Sequence, residues 1–309
     1  MVDDPKSPPP LTPGDAESIP TWRAAYSDRT SALMATFSQL AYVPFHSNAP
    51  DPAPGEPRRK ERLGGKQQLA DLLAPGKFEL REIFDWEDVQ AFLAVNPEQM
   101  AVLAFRGTAN AADWKIDLNA VTVPMDGFPD VRVHEGFWKA FGDQRQKIKD
   151  DVDLHVPSTL GLYITGHSLG GALAQIASAV LERDNLAACY TYGSPRVASK
   201  GFDIDVKCPN YRLINHWDLV PGVPLPVILG YYHAGDPRLL AGPHPQEILR
   251  RDHWLVAWFW AQLRAVSGWV VTHTLYDIDD HMIWNYRTQL DEIRNRRIIP
   301  ASARPKPRA

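Results

Sequence analysis

Cysteine is scarce in this chain. There are two, Cys189 and Cys208, and a single pair cannot supply the disulfide framework of a small secreted scaffold. Cys189 lies in an apolar, strand-like run and reads as a small buried residue. Excess charge is also missing: 33 Lys and Arg stand against 37 Asp and Glu, a net of −4, so no nucleic-acid partner is expected. The apolar stretch 253–266 falls short of the ~20 residues that span a bilayer, and Gln262 and Arg264 interrupt it. The first twenty residues lack the basic start and apolar core of a secretory signal. The cytoplasm is therefore the expected location, with export by another route left open. No internal repeat is evident, and no domain boundary after residue 63.

What the chain does carry is an alternation of strand-like and helix-like runs. Residues 1–20 hold six prolines and few apolar residues and predict a flexible arm. Apolar residues from Ala32 to Ala41 recur at helical spacing, and Pro44 ends the run, predicting a helix over 27–42. Residues 47–62 predict a surface loop with Arg58, Arg59 and Lys60 on a solvated face. A short helix follows over 67–73. Strands are predicted over 78–85, 89–96 and 100–105, a helix from His134 to about Val152, and strands over 187–192 and 211–215. A late hairpin (229–233 and 238–241) and helices over 246–266 and 282–293 close the pattern. This is an α/β class, with a mostly parallel sheet covered by helices on both faces. The expected organisation is an arm over 1–20, a single domain over 21–293 and a frayed basic tail over 294–309.

The chain is organised around Leu162 to Ala174. Four strand-suited residues run into Gly166-His-Ser-Leu-Gly170, followed by Gly171 and a run of helix formers. This is a G-x-S-x-G turn between strand and helix. Ser168 is predicted at its apex with a strained backbone, its hydroxyl raised above the sheet where helix N–H groups meet developing negative charge. The pattern predicts a serine hydrolase.

A serine hydroxyl needs a base, and the base needs an orienting carboxylate. In this setting the order is serine, acid, histidine. Asp218 follows the strand that ends at Asn215 and is the candidate acid. Asp203, Asp205 and Asp236 follow no convincing strand. Among His233, His244, His253, His273 and His281, the candidate base is His281, in a loop at the start of the last helix; His273 is the runner-up. His167 is expected to point sideways into the scaffold. The backbone N–H of Leu169 is one expected oxyanion donor, and Thr108, on the loop after the strand ending at Phe105, is the other. No metal or cofactor is called for.

These residues together resemble the class 3 (fungal-type) lipase family of α/β hydrolases. The match runs through Phe105-Arg-Gly-Thr108, Asp113-Trp-x-x-Asp-Leu118, His134-Glu-Gly-Phe137 and Gly166-His-Ser-Leu-Gly-Gly171. It continues through Tyr192-Gly-Ser-Pro-Arg-Val197, Tyr211-Arg-x-x-Asn-x-x-Asp-x-Val-Pro221 and Asp280-His281 with Tyr286 and Leu290. The resemblance implies an α/β-hydrolase fold, Ser168, Asp218 and His281 as a triad, and Thr108 and Leu169 as an oxyanion hole. It also implies that the segment after Thr108 is a lid opening at a lipid surface. Cleavage of acylglycerol esters is the expected activity. A phospholipase, a soluble-ester esterase or a non-catalytic membrane-docking protein of the same fold are the alternatives.

One stretch departs from the family pattern. Residues 253–266 are apolar nearly all round, with Trp254, Trp258, Trp260 and Trp269 in or beside them. Tryptophan favours membrane–water interfaces. A helix packed on the domain, a second lid, an acyl-chain wall and a membrane or lipid-droplet contact all remain open. Trp114 and Trp258 are the candidate substrate contacts.

Overall fold

Eight strands form the central sheet of the computed structural model, in the order β1-β2-β3-β6-β7-β9-β11-β12. The strands are β1 Glu79–Asp85, β2 Gln90–Asn96, β3 Met100–Phe105, β6 Gly161–His167, β7 Leu186–Tyr192, β9 Asn210–Asn215, β11 Asp236–Leu240 and β12 Ile248–Leu249. From β3 to β11 every pairing is parallel, while β1, β2 and β12 join antiparallel at the two edges. A second sheet, β10-β8-β5-β4, is built from β4 Thr122–Met125, β5 Phe128–His134, β8 Ala198–Ser199 and β10 Tyr231–Tyr232. The structure describes residues 4–17, 19, 25–44, 57–86, 88–108, 121–181, 183–206, 208–216, 218–224, 230–240, 248–249 and 278–297.

The central strands read as continuous apolar runs because both of their faces are buried. Ala101, Leu103 and Phe105 of β3, with Leu162 and Ile164 of β6, face one core. Met100, Val102 and Ala104, with Tyr163, face the other. The first core is covered by α4 (Glu135–Gly142), α5 (Arg145–His155) and α6 (Leu169–Val180). The second is covered by α2 (Asp28–Leu40), α3 (Pro57–Leu73) and α8 (Ile283–Arg297). Two short helices, α1 (Pro13–Glu17) and α7 (Phe202–Asp205), are the others among the described residues. Ser27 caps α2 by accepting from the Thr30 N–H at 3.4 Å. Ser38 Oγ of α2 meets Thr165 Oγ1 of β6 at 2.9 Å, so the helix is keyed to the central strand by a buried polar pair as well as by packing.

Several expectations are corrected. The helix α3 begins at Pro57, inside the stretch read as a loop: proline suits the first helical turn, and Arg, Lys and Glu are good helix formers. The helix expected from His134 to Val152 is two helices, parted after Gly142. The hairpin β4–β5 before it was not anticipated. The late hairpin does not form. Instead β10 pairs with β8, and β11 runs parallel to β9, because the main sheet offers the longer edge. At the N-terminus, where a flexible arm was expected, Leu11 is buried and its N–H donates to the Leu72 carbonyl at 2.9 Å. The basic tail was expected from Arg294, yet α8 continues to Arg297, and Arg294 reaches Asp15 at 3.4 Å and Asp291 at 3.1 Å.

The parallel register brings the C-terminal ends of β3, β6, β7 and β9 together. Phe105 pairs with Gly166, His167 with Tyr192, and Tyr192 with Leu213. Ligand sites in open α/β sheets lie beyond these strand ends. The turn after β6 is possible only because the helix returns close to its own strand. A Cβ on Gly166 would lie 2.1 Å from the Gly170 carbonyl oxygen, and one on Gly170 would lie 2.4 Å from the Phe105 carbonyl oxygen. Gly170→Ala is therefore expected to cost about 3 kcal/mol or more, or to prevent folding. Gly142→Ala, whose Cβ would meet nothing within 4 Å, is expected to change stability by less than ~1 kcal/mol. Urea midpoints of the two variants check the contrast.

Candidate active site

Ser168 sits at the apex of the turn, with φ 65° and ψ −128°. A non-glycine residue rarely adopts such a backbone, at a cost of order 1–3 kcal/mol. The turn is held from both sides: the Ser168 N–H donates to the Tyr192 carbonyl at 2.9 Å, and the Ser168 carbonyl accepts from the N–H groups of Gly171 and Ala172 at 2.9 and 3.2 Å. The side chain is fully buried, and its Oγ makes no hydrogen bond among the described residues.

Asp218 lies after β9, in the loop that turns through Pro221. Its carboxylate gathers three donors. Oδ1 accepts from the Val220 N–H at 2.9 Å; Oδ2 accepts from His281 Nδ1–H at 2.8 Å and from the Tyr286 hydroxyl at 2.6 Å. The carboxylate is only an acceptor, so His281 carries its proton on Nδ1, and a neutral ring then keeps Nε2 as its basic nitrogen. The Tyr286 hydroxyl in turn accepts from the Asn215 N–H at 2.9 Å. Burial, with the Asp218 charge acting in the same direction, pushes the Tyr286 phenol well above its ordinary pKa, so it stays a donor.

Gly193, directly after β7, makes room for the pair. Its φ is +57°, and a Cβ there would come 2.5 Å from Asp218 Oδ2 and 2.9 Å from His281 Cε1. Only glycine suits this position. Ser168, Asp218 and His281 thus leave the same end of the sheet. Leu169 opens α6, and its N–H precedes the first bonds of the helix, which Gly171 and Ala172 make to the Ser168 carbonyl. Thr108 and His281 line a common cavity of about 270 Å³, walled by Tyr42, Ile283 and Trp284 and, on its N-terminal side, by Lys6 and Pro8. Trp114, Trp258, the lid segment after Thr108, the stretch 254–269, and His244, His253 and His273 lie outside the described residues.

Residues 102–228 match the family model described as Lipase (class 3). Relatives include the "Secreted mono- and diacylglycerol lipase 1" of Fusarium solani, 33% identical over 161 residues that make up 50% of this chain and 48% of that protein. Another is the "Lipase" of Rhizomucor miehei, 28% identical over 173 residues, 52% of this chain and 47% of that protein. The chain spans about half the length of these curated relatives. Among solved structures, the mono- and diacylglycerol lipase of Aspergillus oryzae superposes with a TM-score of 0.56 at 24% identity, over 73% of this chain and 86% of that one. At that identity the likeness speaks to the fold, which is the α/β-hydrolase fold.

The matched segment includes Thr108, Ser168, Leu169 and Asp218 but ends before His281. The comparisons also correct the expected cytoplasmic location. The Fusarium solani relative and two Penicillium proteins are secreted by name, which points to an extracellular setting. The N-terminal composition misled on this point.

Sequence reasoning assigned no site role to Gly193 or Tyr42, and took Tyr286 only as part of the resemblance. A positive-φ glycine after a strand and a tyrosine five residues past a histidine are weak signals, so the contacts had to be seen. His167 was expected in the scaffold. It is buried there, but its Nε2 lies 2.6 Å from the His281 carbonyl oxygen.

Two buried histidines set a pH dependence. Burial holds His167 well below the ordinary imidazole pKa, with His281 acting in the same direction. Burial does the same for His233, with Arg212 and Arg196 adding to it. The unfolded chain binds these two protons below about pH 6.5 and the folded chain does not, so stability falls as pH drops through and below that value. The expected slope is at most about 1.4 kcal/mol per pH unit for each ring. Urea unfolding from pH 7.5 to 5 checks it, and His233→Gln should flatten the slope.

Proposed function

We propose that this chain is a serine carboxylester hydrolase that cleaves acylglycerol esters. The observation that carries the proposal is the pairing of His281 Nδ1 with the triply bonded Asp218 carboxylate, at the strand ends from which Ser168 also emerges. In this reading His281 Nε2 takes the Ser168 proton as Oγ attacks the ester carbonyl. The oxyanion is met by the N–H of Leu169 and by Thr108. The tetrahedral intermediate collapses, the carbon–oxygen bond to the alcohol breaks, and the alcohol leaves with the proton held by His281. Water then attacks the acyl-serine, giving its proton to His281, and releases the fatty acid as Ser168 recovers its hydrogen. Asp218 stabilises the imidazolium formed in each half, and Tyr286, donating to Oδ2, holds Asp218 in its orientation.

The class 3 lipase match and relatives named as mono- and diacylglycerol lipases support the acylglycerol class. In the same proposal the hydrolase unit spans 21–293, the segment after Thr108 acts as a lid, and Trp114 and Trp258 contact substrate. The stretch 254–269 meets the lipid surface from which substrate is drawn.

Ser168→Ala is expected to abolish hydrolysis of a short p-nitrophenyl ester and labelling by a fluorophosphonate. Labelling that persists at another serine overturns the assignment. A panel of tri-, di- and monoacylglycerols and phospholipids then tests the substrate class. Turnover confined to phospholipids, or to soluble esters, replaces the acylglycerol reading with that one.

A further inference from the structure

We infer that Tyr42 and His167, with the backbone at Gly107 packed against the Tyr42 hydroxyl, form a hydrogen-bonded clamp that holds His281 in place, which makes His167 a positioning residue. The kinetic half of this inference rests on the hydrolase reading above; the structural half rests on geometry alone.

The direction of every bond in the clamp is determined. His167 Nε2 lies 2.6 Å from the His281 carbonyl oxygen. A carbonyl can only accept, so Nε2 carries a hydrogen. The ring is fully enclosed and neutral, so Nδ1 carries none. Nδ1 therefore accepts from the Tyr42 hydroxyl at 2.7 Å. A Cβ on Gly107 would lie 2.3 Å from the Tyr42 hydroxyl oxygen, so the loop backbone closes tightly on it. The chain runs one way, from Tyr42 O–H through His167 to the His281 carbonyl. The opposite His167 tautomer would set two lone pairs 2.6 Å apart at the His281 end.

The position of the accepting carbonyl gives this chain its consequence. His281 stands just ahead of α8, where the Asn285 and Tyr286 N–H groups donate to the Met282 carbonyl. The carbonyl before that, of His281, is taken by His167, and the one before it, of Asp280, by Asn215 Nδ2 at 2.9 Å. Two successive peptide groups are thus pinned from β6 and β9, while Asp218 fixes the His281 ring from the other side. The His167 and His281 rings pack at 4.5 Å between centroids. A neutral His167 does not repel an imidazolium at His281; a charged one would. Gly107 also precedes Thr108, so the clamp ties the proposed oxyanion loop to the proposed base through the neighbour of the proposed nucleophile.

The first test does not depend on catalysis. Long-range ¹H–¹⁵N spectra of the imidazoles in the full chain, with His167 assigned by its loss in His167→Gln, should show a protonated Nε2 and an unprotonated, hydrogen-bonded Nδ1. That pattern should persist down to about pH 5, below the ordinary imidazole range. An Nδ1–H tautomer, or titration near the ordinary value, overturns the clamp.

The second test uses ester hydrolysis by Tyr42→Phe, His167→Leu and His167→Gln. Tyr42→Phe and His167→Leu should lower kcat roughly 10- to 100-fold, the cost of a small misplacement of a reacting group, with little change in KM. Gln keeps a donor and an acceptor, so His167→Gln should recover much of the rate. Thermal unfolding of each variant separates misplacement from loss of fold, and Tyr42→Phe, which keeps the ring, is the milder arm. An unchanged kcat in His167→Leu, or an effect confined to KM, overturns the positioning role. Wild-type chain that shows the expected spectrum but hydrolyses no ester keeps the clamp and removes the hydrolase reading.

Discussion

A left-handed backbone at Ser168 is the constraint from which the rest of the site follows. A serine at φ 65° persists only if its surroundings hold it there. Here the neighbouring strand takes its N–H, the following helix takes its carbonyl, and Gly166 and Gly170 let helix and strand approach more closely than any Cβ would allow. The reward is a helix N-terminus aimed at the space above β6, where backbone N–H groups are available without rearrangement. The cost is a stretch of chain with almost no tolerance: Gly107, Gly166, Gly170 and Gly171 would each press a Cβ to within 3 Å of a neighbouring atom.

The Asp218 carboxylate is held by a supply of hydrogen-bond donors. Asp218 is almost fully buried, and its carboxylate would be expensive there without partners. Val220, His281 and Tyr286 provide them, and Tyr286 is itself oriented by the Asn215 N–H. Asn215 then reaches with its side chain to Asp280. One residue at the end of β9 thus serves both the carboxylate and the turn that carries the histidine. Substitution at Asn215 would disturb both at once.

How much of this was legible beforehand depended on how local the cause was. The strand–turn–helix unit around Ser168 was readable because its glycines, apolar run and helix formers are contiguous. Strands β2, β3 and β7 were placed within a residue, because strands buried on both faces are continuously apolar. Asp218 was chosen from chain order and from its place after a strand, and it does meet His281. The partners of β10 and β11 were not found, because sheet pairing is settled by which edge is free, and no residue in those short strands records it. The same holds for Tyr42 and His167: 125 positions separate them, and only the fold shows that one hydroxyl meets one ring. The match to class 3 lipases ends at residue 228, so His281 and Tyr286 rest on chain order, on the motif around Asp280-His281 and on geometry, and Tyr42 on geometry alone.

The N-terminal segment carries a practical consequence. The Pro5 and Lys6 carbonyls accept from Gln39 Nε2 of α2 at 3.1 and 3.2 Å, and Arg287 Nη2 of α8 reaches the Pro5 carbonyl at 3.4 Å. Lys6 and Pro8 then form part of the cavity wall beside His281. Anything joined ahead of Asp4, whether an affinity tag, a fusion partner or a surface linker, begins next to the mouth of that cavity. For immobilised or tagged forms of this chain, the choice of attachment end is therefore also a choice about access to the site.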